Sequence, residues 1–138
     1  MHESSMTKAE RLEIEAHARA AAGSLFSCDP SSVKVPFPCG GKPHEFDIYA
    51  RGVVIGGVTT SPLVTSRGSR NTGGCDRACS ELLWLTLWPG TERRMHVLTD
   101  RDLANWLIAR YKGIPFPHAI WIYHYDNGNY QLTAVGRL

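Results

Sequence analysis

The sequence lacks three features that would place it in a broad class: a long apolar run, an excess of charge of one sign and a dense set of cysteines. No run approaches the roughly 20 apolar residues that span a bilayer, and residues 1–5 lack the basic start of a secretory signal. The 15 basic and 13 acidic side chains leave a formal net charge of only +2, which excludes the basic stripe typical of proteins on duplex DNA. We therefore expect a cytoplasmic protein that does not contact membranes.

The four cysteines are Cys28, Cys39, Cys75 and Cys79. Without an export signal we expect free thiols rather than disulfides. His44 near Cys39 would suit zinc, but the spacing contains no Cys-x2-Cys knuckle. Cys75 lies near a predicted helix start, which favours a thiolate, yet no histidine close in sequence could serve as its base. Zinc binding and a nucleophilic Cys75 therefore stay as alternatives to inert thiols.

The length suits a single domain over residues 1–138, because folding at this size buries roughly 68% of the unfolded surface. Thr7 and Glu10 form a capping-box pattern that predicts a helix from there to Gly23. Alternation and turn residues predict the other elements: strands over 33–37, 45–50 and 53–58, helices over 75–88 and 100–112, a strand over 94–98, and a hairpin of 119–125 with 130–135. The order predicts an α/β or α+β fold, a mixed β-sheet flanked by helices with a C-terminal β-hairpin.

Periodicity also predicts which side chains face the core. The first helix is expected to bury Leu12, Ala16, Arg19 and Ala20, with Ile14 and Ala18 widening that face. In the strand over 45–50, a period of two places Phe46, Ile48 and Ala50 on one face. The segment 59–74 is rich in Thr, Ser, Gly and Arg, so we expect a long loop that buries little apolar area and is more mobile than the rest of the domain.

Asp47 in the first strand of the 45–58 hairpin, followed by Val54–Thr60 in the second, resembles the PD-(D/E)XK nuclease superfamily. The resemblance implies a restriction-endonuclease-like fold in which an Asp and a Glu hold Mg²⁺ and a Lys assists the attack of water on a phosphodiester. Asp47 stands at the position of the family's Asp. Gly57 and Thr59 stand where the family has Glu and Lys. The catalytic motif is therefore degenerate.

This degeneracy predicts a pseudoenzyme that binds nucleic acid or a protein partner rather than cleaving, with a vestigial Asp47 and no cofactor. One alternative is an active Mg²⁺-dependent nuclease whose second carboxylate and lysine have moved. Its candidate metal ligands are Asp47, Glu45, which the period of two places on the same strand face, and Glu13; Glu81 is a further candidate carboxylate, and Lys42 is the nearest lysine. The other alternative is a protein-interaction module with no role in nucleic-acid binding.

The strongest candidate anion site follows the 45–58 hairpin. Arginine forks match phosphate oxygens, and a helix start offers backbone N–H donors. The predicted set is Arg67, Arg70 and Arg77 with the backbone donors of Gly74 and Cys75. It is not a Walker loop, because the Gly-Lys-Ser/Thr signature is missing. Trp84 and Trp88, four residues apart before Pro89, could instead mark a homodimer interface.

Overall fold

The computed structural model describes residues 6–36 and 42–138, which form three helices and six strands. The helices are α1 (Lys8–Phe26), α2 (Thr72–Leu87) and α3 (Arg101–Tyr111), and the strands are β1 (Ser31–Val35), β2 (His44–Ala50), β3 (Val54–Thr59), β4 (Arg93–Leu98), β5 (Ile120–Asp126) and β6 (Gln131–Arg137). None of these helices combines the length and the apolar character required to cross a membrane.

All six strands lie in one mixed sheet in chain order. β1, β2 and β3 are antiparallel, β3, β4 and β5 are parallel, and β5 with β6 forms the C-terminal hairpin. The predicted fold class is confirmed, and so is the pairing of the two strands of the 45–58 hairpin, which meet at Ile48 and Gly56.

Helices cover both faces of the sheet. Neighbouring residues of one strand enter different cores: Val54 packs beneath α1, whereas Ile55 packs beneath α2 and α3. Met95 and Val97 of β4 belong to the α1 side, and Leu98 belongs to the other. This two-sided burial explains why β3 is almost continuously apolar and why β4 is buried from Arg94 to Leu98.

The capping box of α1 is confirmed, and so is the burial of Ile14 and Ala18, but the rest of the predicted buried face is wrong. Thr7 Oγ1 accepts the Glu10 N–H at 3.1 Å, and Glu10 Oε1 accepts the Thr7 N–H at 3.3 Å. The buried stripe is Ile14, Ala18, Ala22 and Gly23, whereas Leu12 is 51% exposed and Ala16 and Ala20 are exposed. An alanine-rich helix has little apolar asymmetry, so the sheet rather than the helix decides which side is buried.

The prediction that Phe46, Ile48 and Ala50 share a face is also wrong. Phe46 packs on the α2 side, whereas Ile48 and Ala50 pack on the α1 side. The cause is a β-bulge, because Ser31 pairs with Tyr49 but Val33 pairs with Phe46, so three residues of β2 advance against two of β1. The bulge falls at residues 47–48 and breaks the alternation next to Asp47.

The loop before α2 is shorter than predicted and is folded. α2 begins at Thr72, with Asn71 as its N-cap. Within the loop, Val64 and Arg70 form an isolated β-bridge, and the Leu63 N–H donates to Asp100 Oδ2 at 2.6 Å. Hydrogen bonds within the loop and to Asp100 thus hold a segment that was expected to make few contacts. Its greater mobility stays a prediction.

Candidate functional site

A cleft of about 930 Å³ lies at the C-terminal end of β3. Its floor is the chain from Val58 to Pro62, one wall is α2, and the remaining sides come from the start of α1 and from the loop over 65–71. Three of its lining side chains are arginines, Arg11, Arg67 and Arg77, and two are carboxylates, Asp76 and Glu81. The cleft therefore carries more positive than negative charge.

Asp47 lies directly beneath this floor, where β2 and β3 separate. The paired register of the two strands ends at Ile48 and Gly56. Beyond that point Asp47 Oδ2 accepts the N–H of Val58 at 2.7 Å, so the side chain replaces a lost ladder partner. From the α1 side, Arg19 Nε donates to the Asp47 carbonyl oxygen at 2.6 Å and holds the bulge in place.

The surroundings of the Asp47 carboxylate favour its protonated form. Burial raises the pKa of Asp47, the hydrogen bond from Val58 opposes this, and the negative charges of Glu15, Glu81 and Glu45 raise it further, to about 7. Glu15 comes from α1 and Glu81 from α2, so acidic groups approach from both faces of the sheet. Strongly shifted carboxylates of this kind are frequent at functional sites.

Glu81 occupies the space above Gly57. A Cβ on residue 57 would lie only 2.6 and 2.7 Å from the two carboxylate oxygens of Glu81, so the absence of a side chain at 57 makes room for that group. His44 Nε2 lies 3.2 and 3.3 Å from the same two oxygens. The His44 ring in turn stacks on Trp84, with centroids 4.8 Å apart and planes 12° apart. A carboxylate on α2 thus stands where the side chain of residue 57 would begin.

Thr59 is buried, and its hydroxyl group has a partner on the neighbouring strand. Its Oγ1 lies 2.7 Å from Nε2 of His96 on β4. His96 is fully buried, and burial lowers the pKa of this histidine to about 3, so the ring is neutral at physiological pH. Nδ1 of His96 has no hydrogen-bond partner within residues 6–36 and 42–138.

Of the predicted metal ligands, Glu45 lies near enough to Asp47 to raise the pKa of that carboxyl, but the full set does not come together. Glu13 is exposed on α1, and Glu45 is exposed and accepts the hydroxyl of Ser32 at 2.8 Å. In the described part of the chain, no group of three or more His, Cys, Asp or Glu is arranged to hold a metal ion. The α1 carboxylate that acts on Asp47 is Glu15, which sequence reasoning missed. No sequence signal separated Glu15 from Glu13, since both are neighbours of Ile14.

Only two of the three arginines of the predicted anion site line the cleft. Arg67 and Arg77 line the cleft, and Arg77 donates to Ser61 Oγ at 2.8 Å. Arg70 points elsewhere, since its guanidinium lies 5.7 Å from the ring centroid of Trp106 on α3. Arg11 supplies a third cleft arginine, which sequence reasoning missed because α1 is distant along the chain.

The backbone donors expected to bind an anion are occupied by the helix cap. Asn71 Oδ1 accepts the N–H of Gly74 at 3.3 Å, and the Asn71 carbonyl oxygen accepts the N–H of Cys75 at 3.0 Å. An N-cap side chain commonly fills this role. The positively charged groups that the cleft offers to an anion are therefore the arginine side chains rather than this helix start.

The cysteines and Trp88 were the remaining candidate functional residues. Cys28, Cys75 and Cys79 are free thiols, whereas Cys39 lies outside the described residues, as does any zinc site that includes it. Trp88 packs edge-on against Phe46 and Tyr49, with centroids 5.7 Å away in each case. The homodimer interface stays a prediction.

Comparison with known proteins adds no relative to this description. No protein-family model, no curated protein and no solved structure gives a significant match to the chain. Its function is therefore inferred from the geometry of the cleft.

Proposed function

We propose that this chain binds nucleic acid in the cleft at the end of β3 and does not cleave it. The observation that carries the proposal is the convergence of Arg11, Arg67 and Arg77, from three separate segments, on one cleft. All three side chains belong to exposed residues, so their guanidinium groups are accessible to a ligand. Guanidinium forks bind phosphate oxygens in pairs, and several on one path suit a phosphodiester chain.

Hydroxyl groups complete a surface suited to phosphate. Thr60, Ser61, Ser66 and Ser80 line the same cleft. Serine and threonine hydroxyls are common donors to phosphate and sugar oxygens, and such contacts fix the position of a strand without reading its bases. Binding with little sequence preference is therefore expected.

Absence of cleavage follows from the groups beside Asp47. Gly57 has no side chain to ligate a metal ion, and the Thr59 hydroxyl faces His96. No lysine from residues 6–36 or 42–138 lines the cleft. Without a cation at that point, the negative charge that develops on an attacked phosphate loses a main source of stabilisation.

Fluorescence anisotropy of a labelled oligonucleotide at several NaCl concentrations tests the proposal. Three phosphate contacts to a single strand predict a slope of about −2 in log affinity against log salt. The combined variant R11A/R67A/R77A should bind at least about tenfold more weakly, since charged hydrogen bonds are lost. The charge-matched control R51A/R93A/R137A, at the opposite end of the sheet, should bind like the parent.

Equal binding by parent and cleft variant would overturn the proposal. If no oligonucleotide binds while a captured protein partner binds with little dependence on salt, the chain is a protein-interaction module instead. Circular dichroism of both triple variants checks that they are folded.

A second candidate, metal-dependent hydrolysis, is favoured by one observation. The Glu81 carboxylate occupies the space over Gly57 and is near enough to Asp47 to raise the pKa of that residue. Asp47 and Glu81 would then be the pair of oxygen ligands for Mg²⁺, with the metal polarising a phosphodiester. In this candidate the family's second carboxylate has moved from β3 to α2.

Nuclease assays on supercoiled and single-stranded substrates in Mg²⁺ or Mn²⁺ separate the two candidates. Metal-dependent cleavage that is lost in both D47A and E81Q, but kept in E13Q, would establish the second candidate. Cleavage that survives D47A would indicate a contaminating enzyme. A complete lack of cleavage by the parent supports binding alone.

A further inference from the structure

We infer that the ligand of the cleft is single-stranded, and that one unpaired base stacks against the aromatic pair formed by His44 and Trp84. This inference rests on the proposed function and specifies its substrate class. Both aromatic residues line the cleft, and both are partly exposed.

The aromatic pair is held rigidly. His44 is stacked on Trp84, meets the Phe46 ring edge-on at 4.7 Å, and is bound through Nε2 to Glu81. Contacts on several sides fix the orientation of the His44 ring before any ligand arrives. A pre-positioned aromatic surface loses little conformational freedom on binding, which favours stacking of a base.

Helix α2 sets the distance between the aromatic pair and Arg77, the nearest candidate phosphate-binding side chain on the same helix. Arg77, Ser80, Glu81 and Trp84 all line the cleft, and their spacing of three, four and seven residues places them on one side of α2. Arg77 and Trp84 are two helical turns apart, about 10 Å along the axis. That distance matches about three nucleotides at the roughly 3.4 Å rise of a stacked strand.

A duplex fits this arrangement poorly. Its bases expose only their edges, so their faces cannot meet an aromatic ring unless a base is removed from the stack at a cost. A cleft of about 930 Å³ is within the size range of pockets that enclose small ligands. Duplex-binding surfaces are broad and strongly basic, whereas the whole chain carries a formal net charge of +2.

The test compares three labelled 12-nucleotide probes by anisotropy at low salt: a single strand, the same strand in a duplex, and an abasic strand. The parent should bind the single strand about tenfold or more tightly than the other two. W84L should lose about fivefold to a hundredfold in single-strand affinity, the effect of one stacked base, and should bind the abasic strand like the parent. W106L, which removes a partly buried tryptophan outside the cleft, is the matched control.

The outcomes separate this inference from the proposed function. If the duplex binds as tightly as the single strand, or if W84L binds the single strand like the parent, the inference is overturned, while loss of binding in R11A/R67A/R77A would still support the proposed function. If no probe binds, both are overturned. Should W84L prove unfolded, W84F, which keeps an aromatic face, should bind the single strand like the parent. Equal binding of the abasic and the intact strand by the parent would then overturn the inference by itself.

Discussion

Two clusters of charged side chains lie at opposite ends of the central strands, and they are built in opposite ways. At one end, Glu92 and Arg94 are both buried and fully partnered. At the other end, Asp47 is surrounded by Glu15, Glu45 and Glu81, all of its own sign. The first cluster satisfies its charges internally, and the second leaves them crowded next to a cleft.

The hydrogen bonds of the first cluster close the turn between α2 and β4. Arg94 donates to the carbonyl oxygens of Leu85, Trp88, Gly90 and Glu92. Glu92 accepts the Gly52 N–H and the Trp88 Nε1–H, each at 2.9 Å. Burial raises the pKa of Glu92, but these hydrogen bonds outweigh it and bring the pKa below its usual value. The pKa of Asp47 shifts in the opposite direction.

This contrast distinguishes a stabilising cluster from a candidate functional one. A buried charge whose donors and acceptors are all satisfied contributes to a single folded state, because removing one partner leaves the other unpaired. A partly buried carboxylate whose pKa is raised by desolvation and by neighbouring negative charges costs stability, and such a cost is often found where a ligand or proton is bound. Four sets of substitutions test the contrast, in order of expected effect.

The largest effect is expected for Arg94→Met. Four carbonyl oxygens lose their donor and Glu92 loses its nearby positive charge, so the free energy of unfolding should fall by about 3–5 kcal/mol. Urea unfolding followed by circular dichroism measures the change. A loss below about 1 kcal/mol would show that the Glu92–Arg94 cluster is not the main stabilising feature of the turn between α2 and β4.

Asp47→Asn should raise the free energy of unfolding at alkaline pH, the opposite of the effect expected for Arg94→Met. The pKa of Asp47 is about 7 in the folded chain against 3.8 for an unperturbed Asp, so wild-type stability falls as the pH rises through this interval. Asn can still accept the Val58 N–H without carrying charge. At pH 8 the variant should therefore be more stable than the wild type by about 2–4 kcal/mol, measured by urea unfolding.

His96 gives this substitution a second signature. Its pKa is about 3 when folded against 6.5 when unperturbed, so its contribution to stability is lost as the pH falls through that interval. In the wild type the two groups oppose each other between about pH 4 and 6.5. Asp47→Asn should remove the compensation, and the variant should lose stability steadily on acidification. A parallel pH profile for both proteins would contradict the shifted pKa of Asp47.

The adjacent glycines of β3 should respond differently to alanine. At Gly56 a Cβ would lie 2.5 Å from the backbone oxygen of Met95, which cannot move aside, so Gly56→Ala should cost about 2–3 kcal/mol. At Gly57 the obstacle is the end of the Glu81 side chain, so the cost should be about 1 kcal/mol. Glu81→Ala should relieve the second cost and not the first, as a double-mutant cycle by urea unfolding would show.

The smallest effect is expected for the cleft arginines. Arg67→Ala removes an exposed side chain and should change stability by no more than about 0.5 kcal/mol. Thermal unfolding compared with that of Arg94→Met measures the difference. A large loss for Arg67→Ala would place the cleft with the structural cluster and remove the distinction.

Much of the fold could be predicted because its signals are local. The capping box at Thr7 and Glu10 and the hairpin of β2 and β3 both depend on residues close together in the chain, and both are confirmed. Capping and strand alternation act over a few residues, so a short window contains the information. The mixed sheet with flanking helices followed from the order of these elements.

The candidate site could be predicted only in part. Asp47, Arg67 and Arg77 were identified as site candidates from local motifs. Arg11 and Glu15 were missed, because only the packing of α1 against the sheet brings them to the end of β3. Arg70 was assigned to the anion site, and its contact with Trp106 depends on how the loop lies against α3.

The sequence by itself determined the kinds of element and their order, and it placed a glycine and a threonine at positions 57 and 59 of β3. Only the tertiary structure decided what those positions contact: Glu81 lies above Gly57, and His96 lies against Thr59. The physical reason is that periodicity is set by neighbours along the chain. The space left by a missing side chain is filled by whichever segment packs against it, here from helix α2 and strand β4, 24 and 37 residues further on.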